Sequence, residues 1–252
     1  MDEPYGKGFI LQDYPSSEEL ALAAAGLFRQ FALESVERSG FFLAALSGGS
    51  TPKRMYQILS ESPFKETVPW GKIHLFWSDE RYVPLNDTRS NAGMAFKNLL
   101  ENVPVPKENI HPVPYLSTVE DSALSYEKTL KDFFSRYFKN TSPAFHLVLL
   151  GMGHDGHTAS LFPHNPVLNE KERWVKEVYL KDSKRITLTY PVINRASNIV
   201  FLIQGKDKAP ALSKVLKGIS GSEEFPAEGV RPETGELYWL IDREAFSPGI
   251  LP

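Results

Sequence analysis

Five apolar runs of strand length recur along the chain, Phe41 to Leu46, Ile73 to Trp77, Phe145 to Leu150, Ile199 to Ile203 and Leu237 to Ile241, with helical patterns between most of them. Such runs are apolar on both faces, which suits strands covered from both sides. Strands that alternate with helices lead to a largely parallel sheet under two helical layers. The expectation is an α/β protein, a three-layer αβα arrangement around a mostly parallel, twisted sheet. Ser16 with Glu19 marks a capping-box-like start to a helix over Glu18 to Glu37, and another amphipathic pattern covers Val119 to Phe138. Proline-rich patches at Val103 to Pro114 and Phe225 to Pro232 read as surface loops, neither of them a convincing interdomain linker, so residues 1–252 are expected to form one domain.

A chain of 252 residues can bury a sizeable core without disulfides or structural metals. Cysteine is absent, which removes thiol catalysis and Cys-rich zinc sites and fits a reducing compartment. With 28 Lys+Arg against 31 Asp+Glu the formal net charge is −3, giving no general attraction to nucleic acid or to an anionic membrane. Any anion site must be local. No basic, apolar leader pattern opens the sequence and no apolar run approaches the ~20 residues of a membrane span, so a soluble cytoplasmic protein is expected.

Directly after the run Phe145 to Leu150 comes LGMGHDGHTASLFP, in which Gly151, Gly153 and Gly156 spell G-x-G-x-x-G. A dinucleotide turn needs a long helix after its last glycine and a second strand followed by an acidic residue about 20 positions on. Pro163 and Pro166 interrupt the segment too soon, and Glu170 and Glu172 sit in a polar stretch. The glycines instead stop the strand abruptly and expose amides and His157 at its carboxyl end, where open α/β sheets bind ligands. A plain connecting loop is the other reading.

Three further strand ends carry polar groups. Phe41 to Leu46 runs into Ser47, Gly48, Gly49, Ser50 and Thr51, and Pro52 suits the first position of the helix that follows. Amides and hydroxyls would converge there at a helix N-terminus, which is a phosphate cradle by composition and position, with an ordinary N-cap turn as the alternative. It lacks the Gly-Lys-Ser/Thr of a P-loop, which disfavours nucleotide hydrolysis. Ile73 to Trp77 ends in Ser78-Asp79-Glu80-Arg81, charged groups that either pair with one another or face a cleft. Ile199 to Ile203 ends in Gln204-Gly205-Lys206-Asp207-Lys208, where lysine opposes the dipole of the next helix unless an anion is bound.

Four blocks, LSGGSTP, WSDERYVP with Ser90-Asn91, GMGHDGHTASLFP, and RITLTYPVINRA leading to QGKDKA, stand in the order found in the 6-phosphogluconolactonases, which the chain resembles from about Phe41 to Leu216. The glucosamine-6-phosphate deaminases are similar more distantly. Those enzymes place a glutamate five residues after the histidine, where this chain has Phe162, and an aromatic residue after the Asp-Glu pair, where it has Arg81. Both differences favour the lactonase. The resemblance implies a Rossmann-like fold related to the deaminase and hydrolysis of a phosphorylated sugar lactone without a cofactor. It also implies substrate binding by Ser47, Gly48, Gly49, Ser50, Thr51, Asp79, Arg81, Asn91, Gly153, Arg185 and Lys208. Among these, Arg81, Arg185, Lys208 and the Ser47 to Thr51 loop would hold the 6-phosphate.

Lactone hydrolysis needs a water, a base for its proton and donors for the developing oxyanion. His157 is the natural base, since an unperturbed imidazole with a pKa near ~6.5 is substantially neutral at pH 7. Asp155 either orients its ring or binds backbone amides of the turn. Ser47 is not in a G-x-S-x-G context and has no evident histidine partner, so a serine nucleophile is disfavoured. His154 and His157, three apart on a short turn with Asp155 between them, have no identifiable third ligand to complete a zinc site, and no metal is expected. A stand-alone sugar-phosphate sensor of the same fold remains as an alternative, although the segment before Phe41, one strand-like piece and one helix, is too little for a helix-turn-helix. The sequence leaves the oligomeric state open, and a monomer is compatible with it.

Overall fold

The computed structural model describes residues 8–138 and 144–246. Its strands are β1 (Ile10–Tyr14), β2 (Phe42–Leu46), β3 (Ile73–Trp77), β4 (Asp79–Arg81), β5 (Leu147–Leu150), β6 (Val175–Leu180), β7 (Ser183–Leu188), β8 (Asn198–Ile203) and β9 (Glu236–Asp242). Its α-helices are α1 (Ser17–Ser39), α2 (Ser50–Leu59), α3 (Phe64–Thr67), α4 (Asn91–Ala95), α5 (Val119–Tyr137), α6 (Tyr190–Ile193) and α7 (Ala209–Lys217). Six strands form one parallel sheet in the order β1-β9-β8-β5-β2-β3, as the apolar runs and their spacing lead one to expect.

The runs are almost wholly apolar because both faces are covered, with His74 in β3 and His146 just before β5 as exceptions. Leu43 and Ala45 of β2, with Val148 and Leu150 of β5, join the core that contains the buried side of α5. Phe42, Ala44 and Leu46, with Leu147 and Leu149, join the core built on α1 and α2. Alternate residues of a strand point to opposite faces, so a polar residue at any of these positions would be stranded in apolar surroundings.

Helix α1 begins where its capping pattern places it. Ser16 Oγ accepts from Glu19 N at 3.3 Å and donates to Glu19 Oε2 at 3.0 Å, and Gly40 closes the helix at φ +83°. Helix α2 differs from the sequence reading by one half turn. It starts at Ser50, so Pro52 is its third residue and not its first. The first turn of a helix has no intrahelical use for its N–H groups, so proline fits at either position.

The second departure is larger. Asp79–Arg81, read from sequence only as charged groups at the end of the run Ile73 to Trp77, is a strand that pairs antiparallel with β7, which in turn pairs with β6. This small sheet leaves the carboxyl end of β3 and carries Arg81 and Arg185 beside the main sheet. No helix starts directly after Gly156; Thr158 and Leu161 instead form an isolated antiparallel bridge. Among the described residues, no helix is long and apolar enough to cross a membrane.

Candidate active site

A cavity of about 710 Å³ lies along the carboxyl ends of β2, β3, β5 and β8. It is lined by Ser47, Gly48, Gly49, Ser50, Thr51, Asp79, Arg81, Asn91, Gly153, His157, Arg185 and Lys208. The structure thus brings these sequence-selected residues to one cleft. Asp155 is not in the lining; it stands behind His157.

His157 is held from its Nδ1 side. Asp155 Oδ1 lies 2.6 Å from His157 Nδ1 and also accepts the His157 amide at 3.2 Å. The two roles left open for Asp155 are therefore filled together by one oxygen. A carboxylate only accepts, so Nδ1 carries the hydrogen and Nε2 is the ring nitrogen left for the cavity. Burial raises the Asp155 pKa, but the hydrogen bond and charge of His157 outweigh it and bring the carboxyl down to about 2. Gly153 is required here for a steric reason, because a Cβ would run into His157 Nδ1 and Asp155 Oδ1.

The loop after β2 presents its polar groups as a cradle. Gly49 sits at φ +113° as the N-cap of α2 and supplies no side-chain cap, which leaves the first amides of that helix for the cleft. Tyr56 Oη donates to Ser47 O at 2.8 Å and accepts from Ser47 N at 3.2 Å, fixing the loop from beneath. Ser47 Oγ is buried with no hydrogen-bond partner among the described residues. Ser50 Oγ accepts from Gln204 Nε2 at 2.6 Å, which ties the cradle to the end of β8. Lys208 is the N-cap residue of α7, and its ammonium lies 3.1 Å from Asp207. Tyr56 was not legible as a site support, since nothing local marks a helix residue that holds a loop, while Gln204 and Asp207 showed in the sequence only as members of the polar block that ends at Lys208.

The charged block after β3 divides by direction. Glu80 turns inward, where its carboxylate accepts from the amides of Arg81, Asn91 and Ala92 and from Ser90 Oγ at 2.7 to 3.0 Å. It caps α4, and burial raises its pKa in spite of those amides. Asp79 faces the cleft, with Oδ1 accepting from Asn91 Nδ2 at 3.1 Å and Oδ2 from Ser160 Oγ at 2.6 Å. Asn91 also packs on Gly48, where a Cβ would overlap its side-chain amide. Arg81 and Arg185 are direct cross-strand partners between β4 and β7, and the Nε of each is buried without a hydrogen-bond partner among the described residues. Burial, then the neighbouring Arg81 charge, lower the Arg185 pKa. Two like charges directly opposite one another destabilise a sheet, and an anion between them reverses the sign of that interaction.

No group of three or more His, Asp or Glu among the described residues is arranged to hold a metal ion. The arrangement as a whole offers a base, a carboxylate that orients it, an anion cradle and paired guanidinium groups.

Comparison with known proteins identifies the family. The chain is 41% identical over 213 residues to a 6-phosphogluconolactonase of Synechocystis, an alignment that covers 84% of this chain and 86% of that one. It is 42% identical over 212 residues to a 6-phosphogluconolactonase of Nostoc, with the same coverage. The solved 6-phosphogluconolactonase of Trypanosoma cruzi superimposes with a TM-score of 0.82 at 27% identity, over 97% of this chain and 98% of that one. A family model described as glucosamine-6-phosphate isomerases/6-phosphogluconolactonase matches residues 15–239, and the chain belongs to that family.

Proposed function

We propose that the chain hydrolyses the ester of 6-phospho-D-glucono-1,5-lactone to 6-phosphogluconate, the second step of the oxidative pentose phosphate pathway, with residues 1–252 working as one unit. A reducing compartment such as the cytoplasm suits the cysteine-free chain. The observation that carries the reading is the Asp155–His157 pair set in the same cleft as a helix N-terminus without a side-chain cap and two arginines whose Nε groups have no partner among the described residues.

In this reading His157 Nε2 takes a proton from water as the water oxygen attacks the lactone carbonyl. The imidazolium that forms lies against the Asp155 carboxylate, which stabilises it and keeps the ring in the right tautomer. The carbonyl electrons move onto oxygen and return as the ring C–O bond breaks, and the proton held on His157 passes to the departing oxygen. The 6-phosphate is held by the Ser47 to Thr51 loop, Arg81, Arg185 and Lys208, all in the cavity lining. Asp79 and Asn91 accept and donate hydrogen bonds to sugar hydroxyls, and Gly153 borders the substrate while leaving room for the His157 ring beside it.

A continuous titration with freshly made 6-phosphogluconolactone tests this, because the lactone hydrolyses spontaneously and supplies its own baseline. Turnover well above that baseline is expected. A rate equal to it overturns the enzyme reading and leaves a sensor of the same fold.

A further inference from the structure

Between His157 and Phe162 the chain makes a tight reversal. Leu161 N donates to Thr158 O at 2.8 Å and Thr158 N to Leu161 O at 3.3 Å, with Ala159 at the turn in a left-handed conformation, φ +47°. L side chains rarely adopt that conformation, and here the surroundings impose it. Ser160, at the tip, donates through Oγ to Asp79 and through its amide to Thr187 Oγ1 at 3.1 Å. Thr158 Oγ1 donates to Gly151 O at 2.8 Å. The turn is thus tied down on three sides.

Its consequence is a ring on a ring. The residues flanking the bridged pair are His157 and Phe162, and their rings stack with centroids 4.4 Å apart at 28°. The guanidinium of Arg185 lies 5.9 Å from the centre of the same phenyl ring. Asp155 alone leaves the imidazole free to swing about its hydrogen bond; a flat neighbour removes that rotation. We propose that Phe162 is a positioning residue for His157, its phenyl face setting the imidazole plane so that Nε2 meets the attacking water. The inference rests on the lactonase reading for its kinetic consequence, but the stacking itself is measurable without substrate.

The test compares the wild type with Phe162→Leu and Phe162→Tyr, Leu keeping apolar bulk and Tyr keeping the ring. Phe162→Leu is expected to lower kcat by about tenfold or more with KM within about twofold, since loosened geometry at the reacting atoms acts on the chemical step. Phe162→Tyr is expected to stay close to the wild type. In parallel, the imidazole C–H resonances of His157, assigned by their loss in His157→Ala, should move in Phe162→Leu as the ring current disappears and stay nearly in place in Phe162→Tyr. An unchanged kcat in Phe162→Leu, or a rise in KM alone, overturns the proposal, the latter by assigning Phe162 to Arg185 and not to the base. Should Phe162→Leu fail to fold, Phe162→Met takes its place under the same criteria. If the wild type does not hydrolyse the lactone, the proposed function falls, and the resonances decide the positioning role: unmoved signals in the ringless variant overturn it.

Discussion

Arg81 and Arg185 face one another across the β4–β7 ladder, two guanidinium groups at directly paired positions whose repulsion Asp79 and Glu80 offset only in part. Each keeps a buried Nε without a partner among the described residues, so the unliganded protein holds an unfavourable charge pair that an anion relieves. Inorganic phosphate should therefore raise the melting temperature of the wild type, by the equivalent of about 1.4 kcal/mol at ten times its dissociation constant. Arg185→Gln should lose most of that response and melt no lower than the wild type without phosphate. Thermal melts with and without phosphate check both expectations.

The base and the anion anchors should separate kinetically. His157→Ala should lower kcat by about two to four orders of magnitude with little change in substrate affinity. Arg81→Ala and Lys208→Ala should mainly raise KM, because the phosphate keeps its charge through the reaction. With the unphosphorylated lactone the two anchor variants should match the wild type while His157→Ala stays impaired. Steady-state kinetics on both lactones give the comparison.

Gly153→Ala should fold and yet lose activity. Its added methyl overlaps His157 Nδ1 and Asp155 Oδ1, and these side chains have to give way. The expected result is a fall in kcat of about a hundredfold, in line with a small misplacement of a reacting group. Circular dichroism and kcat on the same preparation check it.

Glu80→Ala should destabilise without touching the substrate. Three amides and one hydroxyl lose their acceptor in a buried setting, a loss of about 3 kcal/mol or more in unfolding free energy. Denaturant titration should show it as a lowered midpoint.

Acid stability should be governed by the far end of the sheet. Burial lowers the pKa of His74 to about 4; burial and the His74 charge do the same to His111, and burial and Arg38 to His146. The unfolded chain binds these protons below ~6.5 while the folded chain refuses them until about 4, so stability is full above ~6.5 and falls as pH drops through that window. The slope is at most about 1.4 kcal/mol per pH unit for each histidine. His74→Phe should flatten the curve measured by urea unfolding between pH 7.5 and 4.5.

The main sheet was legible because strands covered on both faces must be apolar at nearly every position, as in Phe42–Leu46 and, His74 apart, in Ile73–Trp77. Strand β4 was not, since Asp79, Glu80 and Arg81 are held by partners distant in sequence, Thr187, Ile186 and Arg185, and no local pattern announces them. His157 and the Ser47 to Thr51 loop could be picked out because glycines at strand ends have few other uses. Phe162 showed in the sequence only as a difference from the deaminase pattern. Its contact with His157 depends on a left-handed Ala159, a conformation that residue type argues against.

The sheet order also sets when the cleft can exist during synthesis. Of the strands that bear the cleft, β2 and β3 emerge first and can pair as neighbours, bringing the cradle and Asp79 together, but β5 must then slot beside β2 and β8 beside β5. Arg185 arrives on β7, after β5, and Lys208 only after β8. A ribosome-bound chain that stops short of β8 would therefore hold His157 near its cradle while lacking one end of the binding groove, and catalytic competence should arrive as a single late event in the growth of the polypeptide.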